Sequence, residues 1–126
     1  MGTFLWVGAG GAVGSSARYG VNVIIERVFG TPIPLATAVV NIVGCAIIGL
    51  LAGLVATGQL ALSTQMRAFL FAGIMGGFTT FSSFGLDTLT LVHGDRVGLA
   101  LGNVAAQLGI GLAAVFVGYA AAVTMK

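Results

Sequence analysis

Charge is what this sequence has least of. Of its 126 residues, five are Lys or Arg, three are Asp or Glu and one is His, so 6% carry charge, against roughly 25% in ordinary soluble domains. A small water-soluble domain must cover its surface with polar groups, and this chain has too few. Its main solvent is therefore lipid. Cysteine occurs once, so no intrachain disulfide can form, and Cys45, inside an apolar block, reads as a small buried apolar residue. No Cys/His cluster with metal-ligand spacing exists. So few ionisable groups offer no nucleophile–base–acid set, and the chain does not read as an enzyme. The net charge of +2 is spread along the sequence, without the basic patch that nucleic-acid binding requires.

What is present is apolar, at 58% of residues. In lipid the backbone must satisfy its own hydrogen bonds, which leaves helices or a closed barrel. A barrel would show segments of about 10 residues alternating apolar and polar. Long continuous apolar blocks stand here instead, at about 4–25, 35–56, 68–92 and 97–123. Each meets the length of about 20 residues needed to cross a hydrocarbon core. The sequence thus predicts an all-α integral membrane protein of four transmembrane helices, with residues 1–126 forming one membrane domain. The first block has no basic N-terminal flank and is too long for a signal h-region, so it reads as a span and not as a cleaved leader. Turn formers and most charges fall between the blocks: Glu26, Arg27 and the run Gly30-Thr31-Pro32-Ile33-Pro34, then Gly58 to Arg67, then His93-Gly94-Asp95-Arg96. His93 reads as an interfacial residue.

Glycine is abundant, with 21 copies. Pairs at small-xxx-small spacing, Gly10/Gly14, Gly49/Gly53, Gly73/Gly77 and Gly98/Gly102, predict close helix packing in every span. The charges outside the spans bear on topology. Arg67 and Lys126 would share one side of the membrane, Arg27 and Arg96 the other. An even split gives the positive-inside rule almost nothing to act on. The expectation is insertion in both orientations and an antiparallel homodimer. Four helices enclose one small core, so a polar path would lie at a subunit interface.

The third block holds the most unusual stretch, Gly73-Ile74-Met75-Gly76-Gly77-Phe78-Thr79-Thr80-Phe81-Ser82-Ser83-Phe84-Gly85. Adjacent glycines weaken a helix by about 1 kcal/mol each, and four hydroxyls follow. Two readings stand: a helix broken near the midplane, as at transport sites where freed carbonyls meet an ion, or an intact helix whose hydroxyls bond back to its own carbonyls. Thr80, Ser83 and Asp87 fall at i, i+3 and i+7, on one face, with Phe81 and Phe84 on an adjoining stripe. Hydroxyls and the positive edges of phenyl rings suit an anion without trapping it. Asn41, alone in an apolar run, can donate twice, either as interhelical glue or into a pathway. Arg18 lies inside the first span, where a charge marks function by default. It could snorkel to the membrane edge or set a positive field at an anion entrance. Asp87 could pair with Arg18 or border a vestibule.

On these residues the chain resembles the Fluc/CrcB fluoride channel family. The likeness runs through Gly11-Ala12-Val13-Gly14-Ser15-Ser16-Ala17-Arg18, Thr37-Ala38-Val39-Val40-Asn41-Ile42-Val43-Gly44 and Gly76-Gly77-Phe78-Thr79-Thr80-Phe81-Ser82-Ser83-Phe84. It implies an antiparallel dimer with two pores and a structural Na+ at the dimer centre, held by the backbone carbonyls of Gly76 and Thr79. It also implies an anion pathway of Asn41, Thr80, Phe81, Ser82, Ser83 and Phe84, with Arg18 and Asp87 at the vestibule. The family often has Thr at Ser83, Ser at Gly85 and Glu at Asp87. A fourth-span tyrosine of some members aligns loosely with Asn103. No role for Asn103 or Gln107 follows from the sequence. The implied function is passive fluoride export through the cell (inner) membrane. The competing class, a small multidrug-type proton-coupled exporter, shares the size and span number but needs an acid in the first span, where this chain carries Arg18.

Overall fold

A computed structural model describes residues 2–30 and 34–125. The middle of the first connection (Thr31, Pro32 and Ile33) and Lys126, counted above for topology, lie outside them. Long apolar runs fold as helices because only a helix closes every backbone hydrogen bond within one segment. The described chain is all-helical, with no strand. Helix α1 is Gly2–Phe29 and α2 is Leu35–Ala56. Helix α3 covers residues 64–78, with a π-wound middle at Ala68–Met75. Helix α4 is Phe81–His93. Helix α5 is Val97–Thr124, π-wound at Ala106–Ile110.

Three stretches are long and apolar enough to cross a membrane: Leu35–Ala56, Thr64–His93 (α3 with α4) and Val97–Thr124. Helix α1 has the length, 28 residues or about 42 Å at 1.5 Å per residue. Its glycines and serines, with Arg18, Glu26 and Arg27, leave it outside that apolar set. The third span starts earlier than the block at 68–92 suggests. Ser63 caps it by accepting from the Met66 N–H at 3.2 Å, which adds one polar turn.

Glycine organises the packing as two tight helix pairs. In α1 against α3, a methyl on Gly14 would collide with the Ile74 carbonyl, and one on Gly77 would lie 2.7 Å from the Gly11 carbonyl. In α2 against α5, Gly49 meets the Val115 backbone and Gly118 meets Ala46. Lipid supplies no hydrophobic drive between helices, so van der Waals contact at close approach holds them. One expected pair does not take part: Gly98 and Gly102 have nothing within 4 Å of the site of a methyl. Their spacing is right, but they lie N-terminal to the stretch of α5 that meets α2. Gly111 and Gly118 are the buried glycines of this last helix.

Val40, Met75, Phe84, Leu91, Ala100 and Ala122 form the buried apolar core. Large apolar side chains elsewhere, such as Phe4, Tyr19, Leu101 and Phe116, point outward, as expected where the surroundings are hydrocarbon. The turn between α4 and α5 is closed by Asp95 at φ 55°, a left-handed conformation that Asp tolerates better than most residues.

Candidate functional site

The third span is broken, as one of the two sequence readings expected, at Thr79 and Thr80. Both are extended, at φ −80°, ψ 158° and φ −153°, ψ 114°. The interruption follows the Gly76-Gly77 pair by two residues. Three local features end one helix and start the next. The Thr79 hydroxyl donates to the Met75 carbonyl at 2.9 Å. The Thr80 hydroxyl caps α4 by accepting from the Ser83 N–H at 3.2 Å. The Thr80 N–H, which an unbroken helix would direct to Gly76, donates to Asn41 Oδ1 at 2.8 Å. The carbonyls of Gly76 and Thr79, singled out for a cation, are among those at the break whose usual helical donors are lost, here Thr80 N–H to Asn41 and Ser83 N–H to the Thr80 hydroxyl.

Asn41 reaches this break from α2. Its Nδ2 donates to the Thr80 carbonyl at 3.0 Å and to Gln107 Oε1 at 2.7 Å. Gln107 Nε2 donates to Asn103 Oδ1 at 2.8 Å, and Asn103 Nδ2 to the Thr88 hydroxyl at 3.0 Å. Thr88 donates to the Phe84 carbonyl at 2.8 Å. A ladder of amides therefore ties α2, α4 and α5 to the interruption. Gln107 sits in the π-wound turn of α5 and is buried; such turns admit an extra residue and re-aim side chains, often at functional sites.

A cavity of about 430 Å³ opens beside the break, lined among others by Asn41, Thr80, Phe81, Phe84, Met75 and Gln107. The Phe81 and Phe84 rings lie 5.2 Å apart between centroids, tilted by 55°. Phe84 is 8% exposed and Phe81 77% exposed, so the cavity reaches the surface of the chain at Phe81. The hydroxyls bond to one another: Thr80 Oγ1 lies 3.2 Å from Ser82 Oγ and donates to Ser83 Oγ at 3.1 Å. Ser83 and Asp87 line a second cavity of about 260 Å³ with Asn22, Glu26 and Thr37. The face shared by Thr80, Ser83 and Asp87 thus runs from one cavity to the other.

Asp87 forms no ion pair with Arg18; its Oδ2 is buried without a hydrogen-bond partner at the second cavity. Arg18 lines neither cavity. It stands one turn before Asn22, whose Oδ1 is likewise buried and unpartnered. Asn22, Thr88, Asn103 and Gln107 are the polar residues sequence reasoning left without a role. The signal for the last two was their i, i+4 spacing in an apolar run.

These features define a multi-pass helical membrane protein whose one discontinuous span carries a polar cluster, the architecture used to move small ions and solutes. The chain belongs to the family described as CrcB-like protein, Camphor Resistance (CrcB), which matches residues 5–119. It is 50% identical over 119 residues to the fluoride-specific ion channel FluC of Paracoccus denitrificans, covering 92% of this chain and 90% of that one. The FluC of Methylobacillus flagellatus is 43% identical over 114 residues, covering 90% and 88%. That of Opitutus terrae is 42% identical over 127 residues, covering 100% and 96%.

Proposed function

We propose that this chain is a fluoride channel of the cell (inner) membrane, carrying fluoride passively outward and lowering its concentration in the cytoplasm. The observation that carries the reading is the break at Thr79–Thr80, where an amide, hydroxyls and two phenyl rings converge with no fixed positive charge. Relatives at 41–50% identity bear the name fluoride-specific ion channel, in keeping with it. Fluoride gives up its water reluctantly. Hydroxyl and amide donors, with positive ring edges, replace that water without the deep well an arginine would make. Binding must be strong enough to admit the ion and weak enough to release it. Asn41, Thr80, Phe81, Ser82, Ser83 and Phe84 form this path, with Asp87 and Arg18 toward its mouth.

The working unit is an antiparallel homodimer in which α1 acts as the fourth span. Phe81 favours a second copy: its ring lines the cavity yet is 77% exposed, so one chain supplies only part of the wall. The residues at the break also suit a structural Na+. Gly76, exposed, and Thr79, half-buried, have carbonyls relieved of helical donors, and hard cations take oxygen ligands of this kind. Two such carbonyls from each copy would hold the ion. When bound it supplies positive charge that fixes the interrupted backbone at the dimer centre.

The test is fluoride efflux from proteoliposomes, followed with a fluoride electrode and repeated with chloride. Rapid, chloride-excluding efflux without a proton gradient is expected. Efflux that needs a proton gradient would favour the exporter class, although the only acid on α1, Glu26, lies in its last turns.

A further inference from the structure

Asn41 has two amide N–H donors, and both are in use, one on the Thr80 carbonyl and one on Gln107 Oε1. While those bonds stand it has no donor left for an anion. Its two acceptors differ in kind. The Thr80 carbonyl belongs to the backbone of the break. Gln107 Oε1 is on a side chain, and its bond to Asn41 is the shorter, 2.7 Å against 3.0 Å. Gln107 is 8% exposed and is held in place by its own bond to Asn103, which in turn is held by Thr88. Asn41 and Gln107 both line the cavity that contains Phe81 and Phe84.

We infer that Gln107 Oε1 is a resident competitor for the Asn41 amide: it takes the donor between anions, and a permeating fluoride must displace it. This rests on the fluoride-conducting reading above. The exchange trades one hydrogen bond for another, so Asn41 is paired both before and after an ion arrives. It also lowers the affinity of the site by the strength of the Asn41–Gln107 bond, which favours release. Gln107 is a positioning residue, acting on the ion through Asn41, and the Asn103–Thr88 rungs set how firmly it competes.

The experiment measures fluoride flux against fluoride concentration for the reconstituted full chain, Gln107→Met and Asn103→Leu. Gln107→Met keeps the side-chain length and removes the competing oxygen. Its half-saturating fluoride concentration should fall about two- to tenfold, the worth of one neutral hydrogen bond. Asn103→Leu should move it the same way by less. A purely structural Gln107 would lower flux without lowering half-saturation; that result, or a rise, overturns the inference. A second measurement needs no variant at position 107. In chains labelled with ¹³C-glutamine, fluoride but not chloride should raise the side-chain carbonyl stretch of Gln107, identified by removing Gln59 and Gln65. An unmoved band also overturns the inference. Wild-type protein that passes no fluoride at all would overturn instead the reading on which it rests.

Discussion

Asn41 and Thr80 hold each other by two hydrogen bonds in opposite directions, Asn41 Nδ2 to the Thr80 carbonyl at 3.0 Å and Thr80 N–H to Asn41 Oδ1 at 2.8 Å. The side chain thus gives the Thr80 N–H the partner that the helix ladder gives elsewhere. Asn41→Leu leaves the Thr80 N–H unpartnered, because the Thr80 carbonyl still caps the first turn of α4, and an unpartnered buried group costs about 1–3 kcal/mol. The variant should abolish fluoride flux and lower the thermal midpoint of the purified protein. Asn41→Asp keeps the acceptor and loses both donors, so it should fold better than the Leu variant and still conduct poorly. Efflux and thermal unfolding of both variants check this.

The two rings separate packing from conduction. Phe81 is mostly exposed, whereas Phe84 is buried. Phe81→Ile should therefore cut flux with little change in the packing within one chain. Phe84→Ile should cut flux and also cost roughly 1–2 kcal/mol through the smaller side chain. Efflux assays together with size-exclusion elution decide the matter: unchanged flux in both variants would remove the rings from the pathway.

Glycine positions should divide sharply. Gly14→Ala and Gly118→Ala drive a methyl into the Ile74 and Ala46 carbonyls, and each should cost about 1–3 kcal/mol. Gly98→Ala and Gly102→Ala meet nothing within 4 Å and should be neutral, or stabilising by up to about 1 kcal/mol through helix propensity. Unfolding measured in mild detergent reads all four. A large loss at Gly98 or Gly102 would place that face of α5 against another copy.

Orientation is open to a direct check. With Arg67 and Lys126 on one side against Arg27 and Arg96 on the other, C-terminal reporters active on opposite faces of the membrane should both give signal. A strong signal from one reporter alone would sink the antiparallel arrangement. Adding two lysines after residue 125 should then collapse the population to one orientation, and flux should fall with it.

Sodium is the remaining expectation. Replacing Na+ with N-methylglucamine during purification should shorten the lifetime of the dimer, because carbonyls turned out of the helix would face one another without a cation. Equal elution and equal flux in both media would remove sodium from the structure.

Much of this was legible in advance because lipid narrows the choices. A span must be helical, so apolar blocks marked three crossings closely, and the double glycine with its hydroxyls marked the weak point of the third. Glycine spacing alone misled at Gly98 and Gly102: periodicity says which residues share a face, but not which face meets a neighbour. Asp87 was correctly linked to Ser83 by spacing, while its separation from Arg18 depended on how α1 and α4 are placed.

By itself the sequence determined the solvent, the helical class, the weak point at Gly76-Gly77 and the family. Each of these follows from composition or from residues near in the chain. Only the tertiary structure decided what Asn41 does with its donors. Gln107 lies 66 positions away and Thr80 39, and no local pattern links them. The helices bring them together because buried amides in a low-dielectric interior must find partners wherever the packing offers them.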